Sequence, residues 1–164
     1  MVVDEVARRY GVEHWKKHDG ALQGNDASHN VVFVKPLQFM NLSGTPVRLI
    51  ATWYRTPSDG VLVVSDDMDL PFGRIRMRPF GGHGGHNGLR SVIATIGERF
   101  PRIRIGLGRP EFDGADHVLS EFREEERTAL PAIVAAAADG VERWLDDGLE
   151  AAMQFLNTWE PSAK

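Results

Sequence analysis

Residues 60–69 read GVLVVSDDMD, a continuous apolar run that stops abruptly at a group of carboxylates. Such a run is typical of a strand that is buried on both faces of a sheet. In open α/β sheets, ligands bind beyond the carboxyl ends of these strands. The stretch therefore predicts an α/β fold, a strand over residues 60–64 and a binding crevice at the aspartates that follow, which are Asp66, Asp67 and Asp69.

The segments on either side alternate between strand and helix patterns. Alternating or continuous apolar residues predict further strands at residues 31–35, 74–78 and 102–108. Helical spacing predicts helices at residues 2–10, after Thr45-Pro46, after an N-cap at Asn87 and through the last third of the chain. Residues 12–30 are polar, with turn signals only. We expect one domain, residues 1–164, with a mixed twisted sheet flanked by helices.

Composition limits the kinds of protein that the chain can be. Its 164 residues contain no cysteine, which excludes disulfides, thiolate metal sites and a cysteine nucleophile. No stretch approaches the roughly 20 apolar residues that a membrane-spanning helix needs, and the N-terminus does not resemble a signal peptide. We expect a cytoplasmic protein that is monomeric and has no membrane partner.

The charge of the chain is unevenly distributed. The net charge is −4, yet residues 71–110 contain eight arginines and one acid, a local charge of +7. A concentrated positive field predicts an anionic partner such as RNA, and Arg76 and Arg78, which share one face of a predicted strand, are the first candidates for phosphate contact. The alternative is that the arginines are scattered over a solvated surface.

A glycine-rich segment, GGHGGHNG at residues 81–88, lies inside the basic region. A glycine-rich turn that leads into a helix exposes backbone N–H groups and the positive end of the helix dipole, which together attract an anion. His86 and Asn87 then form a hydrogen-bonding pair at the mouth of the crevice. Two other interpretations stay open: a turn that needs glycine only for positive φ, and a metal site formed by His83, His86 and one of the aspartates.

A second polar residue stands in an apolar setting at FMNLSG, residues 39–44. Asn41 can present its amide to a ligand, with Phe39 and Met40 as apolar contacts. As structure alone, Asn41 is a helix N-cap and its neighbours belong to the core.

Four motifs, in this order and spacing, resemble those of bacterial peptidyl-tRNA hydrolases: FMNLSG, SDDMDLPFG, GGHGGHNGLRS and RIRIGLGRP. The similarity extends from Val2 to the C-terminal helices. Members of this family cleave the ester that joins a peptide to the 3′-terminal ribose of tRNA, without a metal or cofactor. The resemblance implies that the glycines let the backbone approach a crevice where the peptide meets the tRNA 3′ end.

The resemblance also implies roles for individual residues. Asp66 matches an aspartate that orients the catalytic histidine. Asn41 and Asn87 match two asparagines that bind substrate. Phe39 matches a residue that contacts tRNA, and Met40 and His86 match further residues of the crevice.

The catalytic histidine of the family lies in a T-R-H-N motif that follows an N-terminal strand and an N-P-G turn, and this sequence contains none of these. His29-Asn30 repeats only the dipeptide. Two expectations follow. The chain is an N-terminally truncated hydrolase that lacks its first central strand and has little activity as it stands, or it is a non-catalytic RNA-binding derivative, like the related chloroplast splicing factor. Retention of Asp66 favours the hydrolase.

Overall fold

The computed structural model describes residues 1–37, 42–109 and 122–161. The helices are α1 (Val2–Arg9), α2 (Gly44–Trp53), α3 (Asn87–Ile96), α4 (Glu124–Asp147) and α5 (Leu149–Thr158). The strands are β1 (Lys16–His18), β2 (Ala21–Asp26), β3 (Val31–Pro36), β4 (Val63–Asp67), β5 (Ile75–Arg78) and β6 (Arg102–Gly106). The α/β class is confirmed, and none of the helices in the described ranges is long and apolar enough to cross a membrane.

Two three-stranded sheets are present in the described part of the chain, with strand orders β1-β2-β3 and β4-β6-β5. In the first sheet all neighbours are antiparallel, with Lys16 opposite Gln23 and Ala21 opposite Pro36. Contacts divide the chain into two compact units. The first contains residues 1–65 and 78–102, and the second contains residues 66–77 and 103–164.

In the first unit, helices α2 and α3 pack closely because Gly44 has no side chain. A Cβ at Gly44 would lie 2.1 Å from the backbone oxygen of Ser91. The Gly44 N–H instead donates to Ser91 Oγ at 2.9 Å, and Thr95 Oγ1 donates to the Gly44 carbonyl at 3.1 Å. The α3 residues Leu89 and Val92 form a core with Phe100. This packing fixes the position of α3, and therefore of the glycine-rich segment that leads into it.

In the second unit, α4 and α5 form a helical pair with a similar close approach. A Cβ at Gly140 would lie 2.4 Å from Leu156 Cδ1. The Asn157 side chain accepts a hydrogen bond from the backbone N–H of Met77 at 2.8 Å and donates to the Met77 carbonyl at 3.2 Å. It thus satisfies both backbone groups of one strand residue, as a neighbouring strand would.

Several element boundaries differ from those predicted. Strand β4 covers residues 63–67 rather than 60–64, because the ladder runs on through the aspartates: Val63 N–H donates to the Pro101 carbonyl and Leu107 N–H to that of Asp67. Ser43 occupies the N-cap position of α2 without a capping hydrogen bond from its side chain, so Pro46 lies inside the first turn. His86, rather than Asn87, is the N-cap of α3.

Strands β1 and β2 were not predicted, because the residues that β2 buries are small. Ala21 is fully buried, and Gly24 lies against Val12 and Trp15, where a Cβ would come within 2.6 Å of Val12 Cγ1. Because the two buried residues are small and three positions apart, this stretch gives no period-2 signal.

Candidate functional site

The glycine-rich loop of the first unit, residues 81–86, has a compact backbone that connects the end of β5 to α3. Gly81, Gly84 and Gly85 have φ angles of +147°, +57° and +83°, a region that residues with a side chain rarely adopt. The His86 N–H donates to the His83 carbonyl at 3.0 Å, and the Gly85 N–H donates to His83 Nδ1 at 3.0 Å. His83 therefore stabilises the turn through both its carbonyl and its side chain.

Gly82 differs from the other loop glycines, because it does not need positive φ. It is exposed, and a Cβ built on it would meet no atom within 4 Å. Neither backbone strain nor packing against the described residues explains a glycine there. The space beside the Gly82 backbone is therefore open among the described residues.

His86 begins the helix with its side chain. Its Nδ1 accepts a hydrogen bond from the Leu89 N–H at 3.1 Å, which satisfies one of the amides left open in the first turn of α3. Because Nδ1 is the acceptor, the neutral ring carries its hydrogen on Nε2. The geometry thus assigns His86 as a hydrogen-bond donor at Nε2, and Asn87 follows it as an exposed first residue of the helix.

The predicted aspartates lie in the second unit, and two of them form ion pairs with arginine. Asp67 is buried, and its Oδ2 lies 2.6 Å from Arg104 Nη2, while its Oδ1 accepts from the Asp69 N–H at 2.8 Å. Asp69 Oδ1 lies 2.6 Å from Arg109 Nη2. These contacts explain Asp67 and Asp69 as structural residues. Asp66 is half-buried in β4 and, by strand alternation, faces away from Asp67.

The eight arginines of residues 71–110 are not all available to an external anion. Three pair with acids, namely Arg74 with Glu160, Arg104 with Asp67 and Arg109 with Asp69. Arg76 donates to the Asn157 carbonyl, and Arg102 is buried. The exposed ones that form no ion pair within residues 1–37, 42–109 and 122–161 are Arg78, Arg90 and Arg99. The cationic surface is therefore smaller than the sequence predicted, and these three arginines belong to the first unit.

Phe39, Met40 and Asn41 lie outside the described residues. His86 and Asn87 are adjacent in the first unit, whereas Asp66 belongs to the second. Among the residues that the structure describes, no group of three His, Asp or Glu side chains could hold a metal, so the metal interpretation of His83 and His86 gains no support.

Comparison with known proteins gives a family match over the whole chain. The sequence profile described as "Peptidyl-tRNA hydrolase" matches residues 1–164. The peptidyl-tRNA hydrolase of Syntrophomonas wolfei is 42% identical over 159 residues, which cover 95% of this chain and 87% of the relative. That of Frankia alni is 43% identical over 156 residues, which cover 92% of this chain and 79% of the relative.

A solved structure of a peptidyl-tRNA hydrolase has the same fold as this chain. The crystal structure of peptidyl-tRNA hydrolase from Acinetobacter baumannii superimposes with a TM-score of 0.89 at 29% sequence identity, covering 98% of this chain and 85% of that one. A match of this extent concerns the whole fold and not an isolated motif. With the profile match over residues 1–164, it establishes that this chain belongs to the peptidyl-tRNA hydrolase family.

Proposed function

We propose that this chain binds peptidyl-tRNA and serves hydrolysis of the ester between the peptide and the 3′-terminal ribose, the reaction that recycles tRNA during translation. The observation that carries the proposal is family membership over the whole chain, from residue 1 to residue 164. We further propose that it acts as a monomer in the cytoplasm.

The glycine-rich loop supports this function chemically. Ester hydrolysis at neutral pH needs a water molecule activated by a base and donors that stabilise the developing oxyanion. The loop offers backbone amides at a helix N-terminus, where Asn87 carries an exposed side-chain amide directly after His86. We assign these groups to holding the substrate ester and its neighbouring ribose.

Four further residues have roles in this proposal. Asp66 is a positioning residue, whose carboxylate would orient and polarise a histidine base. Phe39, Met40 and Asn41 contact substrate through an aromatic ring, a thioether and an amide. These assignments come from the resemblance, and they stay predictions.

We propose in addition that the 164-residue polypeptide hydrolyses its substrate slowly. None of its six histidines lies in a T-R-H-N sequence. His29, the only one followed by asparagine apart from His86, lies in the turn between β2 and β3, where its Nδ1 is 2.5 Å from Asp26 Oδ2. A general base contributes about 10² to 10⁴ in rate, so its absence leaves binding with little turnover.

The test measures binding and cleavage separately on one folded sample. Purified chain is titrated with an N-blocked aminoacyl-tRNA, and release of free tRNA is followed over time, with uncharged tRNA as the control ligand. We expect binding of the blocked ester and cleavage at least about 10²-fold slower than that by a relative with the T-R-H-N motif. No binding by a folded sample would overturn the function, and cleavage at the relative's rate would overturn the proposal of slow turnover.

The same measurement distinguishes the alternative, a non-catalytic RNA-binding derivative, which the lack of a T-R-H-N sequence favours. Such a protein would bind charged and uncharged tRNA equally, because it would gain nothing from the peptide ester. A hydrolase site should prefer the blocked ester. The Asp66→Ala variant should keep that preference, since its proposed role concerns only the base.

A further inference from the structure

Arg102 is the largest side chain that is fully buried among the described residues, with 2% of its surface exposed. Its Nη1 donates to the Gly82 carbonyl at 3.1 Å. Its Nη2 donates to the Glu98 carbonyl at 2.9 Å and more weakly to that of Phe100 at 3.4 Å. The guanidinium carbon lies 4.1 Å from the centre of the Phe100 ring. In the sequence, Arg102 and Arg104 alternate with Ile103 and Ile105, a pattern that does not reveal the burial of Arg102.

These contacts join the two ends of one helix. Gly82 lies before α3, in the glycine-rich loop, while Glu98 and Phe100 lie in the turn after it. The guanidinium of Arg102 thus connects the segments that enter and leave α3. All of these residues belong to the first unit.

We propose that Arg102 is a positioning residue that holds the glycine-rich loop in the conformation in which it receives the substrate. The inference rests on the proposed function, since it assigns the loop to substrate binding. It adds a residue that touches no substrate and acts through the backbone of Gly82.

The chemistry of the side chain supports a positioning role. Burying a cation is costly unless its donors are satisfied, and an apolar residue would fill the same space without that cost. A guanidinium presents donors in a fixed planar fork, so it can bind carbonyls on two sides at once, whereas a lysine ammonium is a single point. Holding Gly82 and Glu98 in one geometry is a task for which arginine is suited.

The loop needs such an anchor because its own bonds are local. Hydrogen bonds from Gly85 and His86 to His83 close the turn over residues 83–86. Among the described contacts, the hydrogen bond from Arg102 to the Gly82 carbonyl connects the start of the loop to β6. Glycines at positive φ have many alternative conformations when they are not held. A loop that is released must be ordered again on binding, which weakens affinity.

The experiment compares Arg102→Lys and Arg102→Met with Ile50→Val and Ile50→Ala. Ile50 is buried in α2 of the same unit and lies outside the loop, so its two variants cover a range of stability loss without releasing Gly82. The probe is an amide-linked peptidyl-tRNA analogue, which cannot be hydrolysed as an ester. Affinity, its dependence on salt and hydrogen exchange of residues 81–86 are measured on samples shown to be folded.

We expect both Arg102 variants to bind the analogue about tenfold more weakly than an Ile50 variant of equal stability. Exchange of residues 81–86 should be faster, while the salt dependence stays that of the unmodified chain, because a buried arginine contacts no phosphate. If Arg102→Met does not fold, Phe100→Leu is tested in its place, because it removes the ring beneath the guanidinium and keeps the carbonyls. We expect Phe100→Leu to bind the analogue about threefold more weakly than the unmodified chain.

Three results would count against the inference. Equal affinity in Arg102 and Ile50 variants of matched stability would show that Arg102 serves only the fold. A flatter salt dependence in Arg102→Met would show that Arg102 contacts phosphate. If the unmodified chain does not bind the analogue at all, the proposed function fails first, and that outcome is distinct from a loss confined to the variants.

Discussion

His86 has a structural role as the N-cap of α3, and we propose that it also contacts substrate. As the N-cap of α3 it accepts a hydrogen bond at Nδ1, so the hydrogen of the neutral ring lies on Nε2. The two roles can be separated because asparagine is among the best N-cap residues, whereas alanine cannot cap. A pair of variants therefore distinguishes the cap from the imidazole.

We expect His86→Ala to lower the free energy of unfolding by about 1 kcal/mol, because the helix loses its cap. The same variant should bind a blocked aminoacyl-tRNA more weakly. His86→Asn should restore most of the stability but not the affinity, since the shorter side chain lacks the Nε2–H. Thermal unfolding and ligand titration on the same samples measure both quantities. If His86→Asn binds as well as the unmodified chain, the imidazole has no role in substrate binding.

The turn between β2 and β3 is an element with its own electrostatic network. Ser28 Oγ donates to Asp26 Oδ1 at 2.5 Å, and His29 Nδ1 lies 2.5 Å from Asp26 Oδ2. Hydrogen bonding from Ser28 and then from His29 lowers the pKa of Asp26 to about 2. Asn30 completes the turn with a φ of +56°.

This pKa predicts how the turn responds to acid. Because the pKa of Asp26 is lower in the folded chain than its ordinary value of 3.8, the ionised carboxylate stabilises the fold above about pH 4, and that contribution is lost as the pH falls towards 2. The difference in melting temperature between the unmodified chain and Asp26→Asn should therefore shrink over this range. Ser28→Ala should raise the pKa of Asp26, which NMR titration can measure; an unchanged pKa would contradict the assigned cause.

The elements that the sequence predicted best are those with large apolar side chains. The alternation of Ile75 and Met77 with arginines gave β5 nearly to the residue, and the helical spacing after Asn87 gave α3. The four motifs also indicate the family from the sequence alone, and the profile match over residues 1–164 confirms it. Strand β2 was missed because its two buried residues are alanine and glycine, and no pattern of large apolar residues reveals such a strand.

Contacts between distant segments limited the prediction of the site. Arg102 and Arg104 alternate with isoleucines in the sequence, yet one is buried against backbone carbonyls and the other pairs with Asp67. Both outcomes depend on segments far away in the sequence, such as Gly82 for Arg102. Local periodicity cannot distinguish a buried arginine from an exposed one.

The distribution of positive charge over the whole molecule predicts how binding of tRNA depends on salt. Arg78, Arg90 and Arg99 are the exposed arginines of the basic segment that form no ion pair in the described part of the chain. Replacing all three with alanine should weaken binding of tRNA and reduce the salt dependence of the affinity, by roughly one unit of slope for each phosphate contact that is lost. Fluorescence titration between 50 and 200 mM salt, roughly the range over which such losses are large, measures this.

The control for this prediction is Arg8→Ala. Arg8 is exposed but pairs with Glu5 at 2.9 Å, and its removal changes the net charge without removing an unpaired cation. Its affinity and salt slope should match those of the unmodified chain. If the triple variant and the control give the same slope, tRNA is bound elsewhere on the protein.

The division of the chain into two interleaved units affects how the protein can fold during synthesis. The first unit needs residues 1–65 and residues 78–102, so the chain leaves it and returns before it is complete. Its last residue is Arg102, whose guanidinium holds Gly82. Since a growing chain emerges from its N-terminus at about 5 to 20 residues per second, the glycine-rich loop is made seconds before the side chain that anchors it. A nascent chain halted before residue 102 should therefore leave the loop amides open to exchange, and release of a few more residues should protect them.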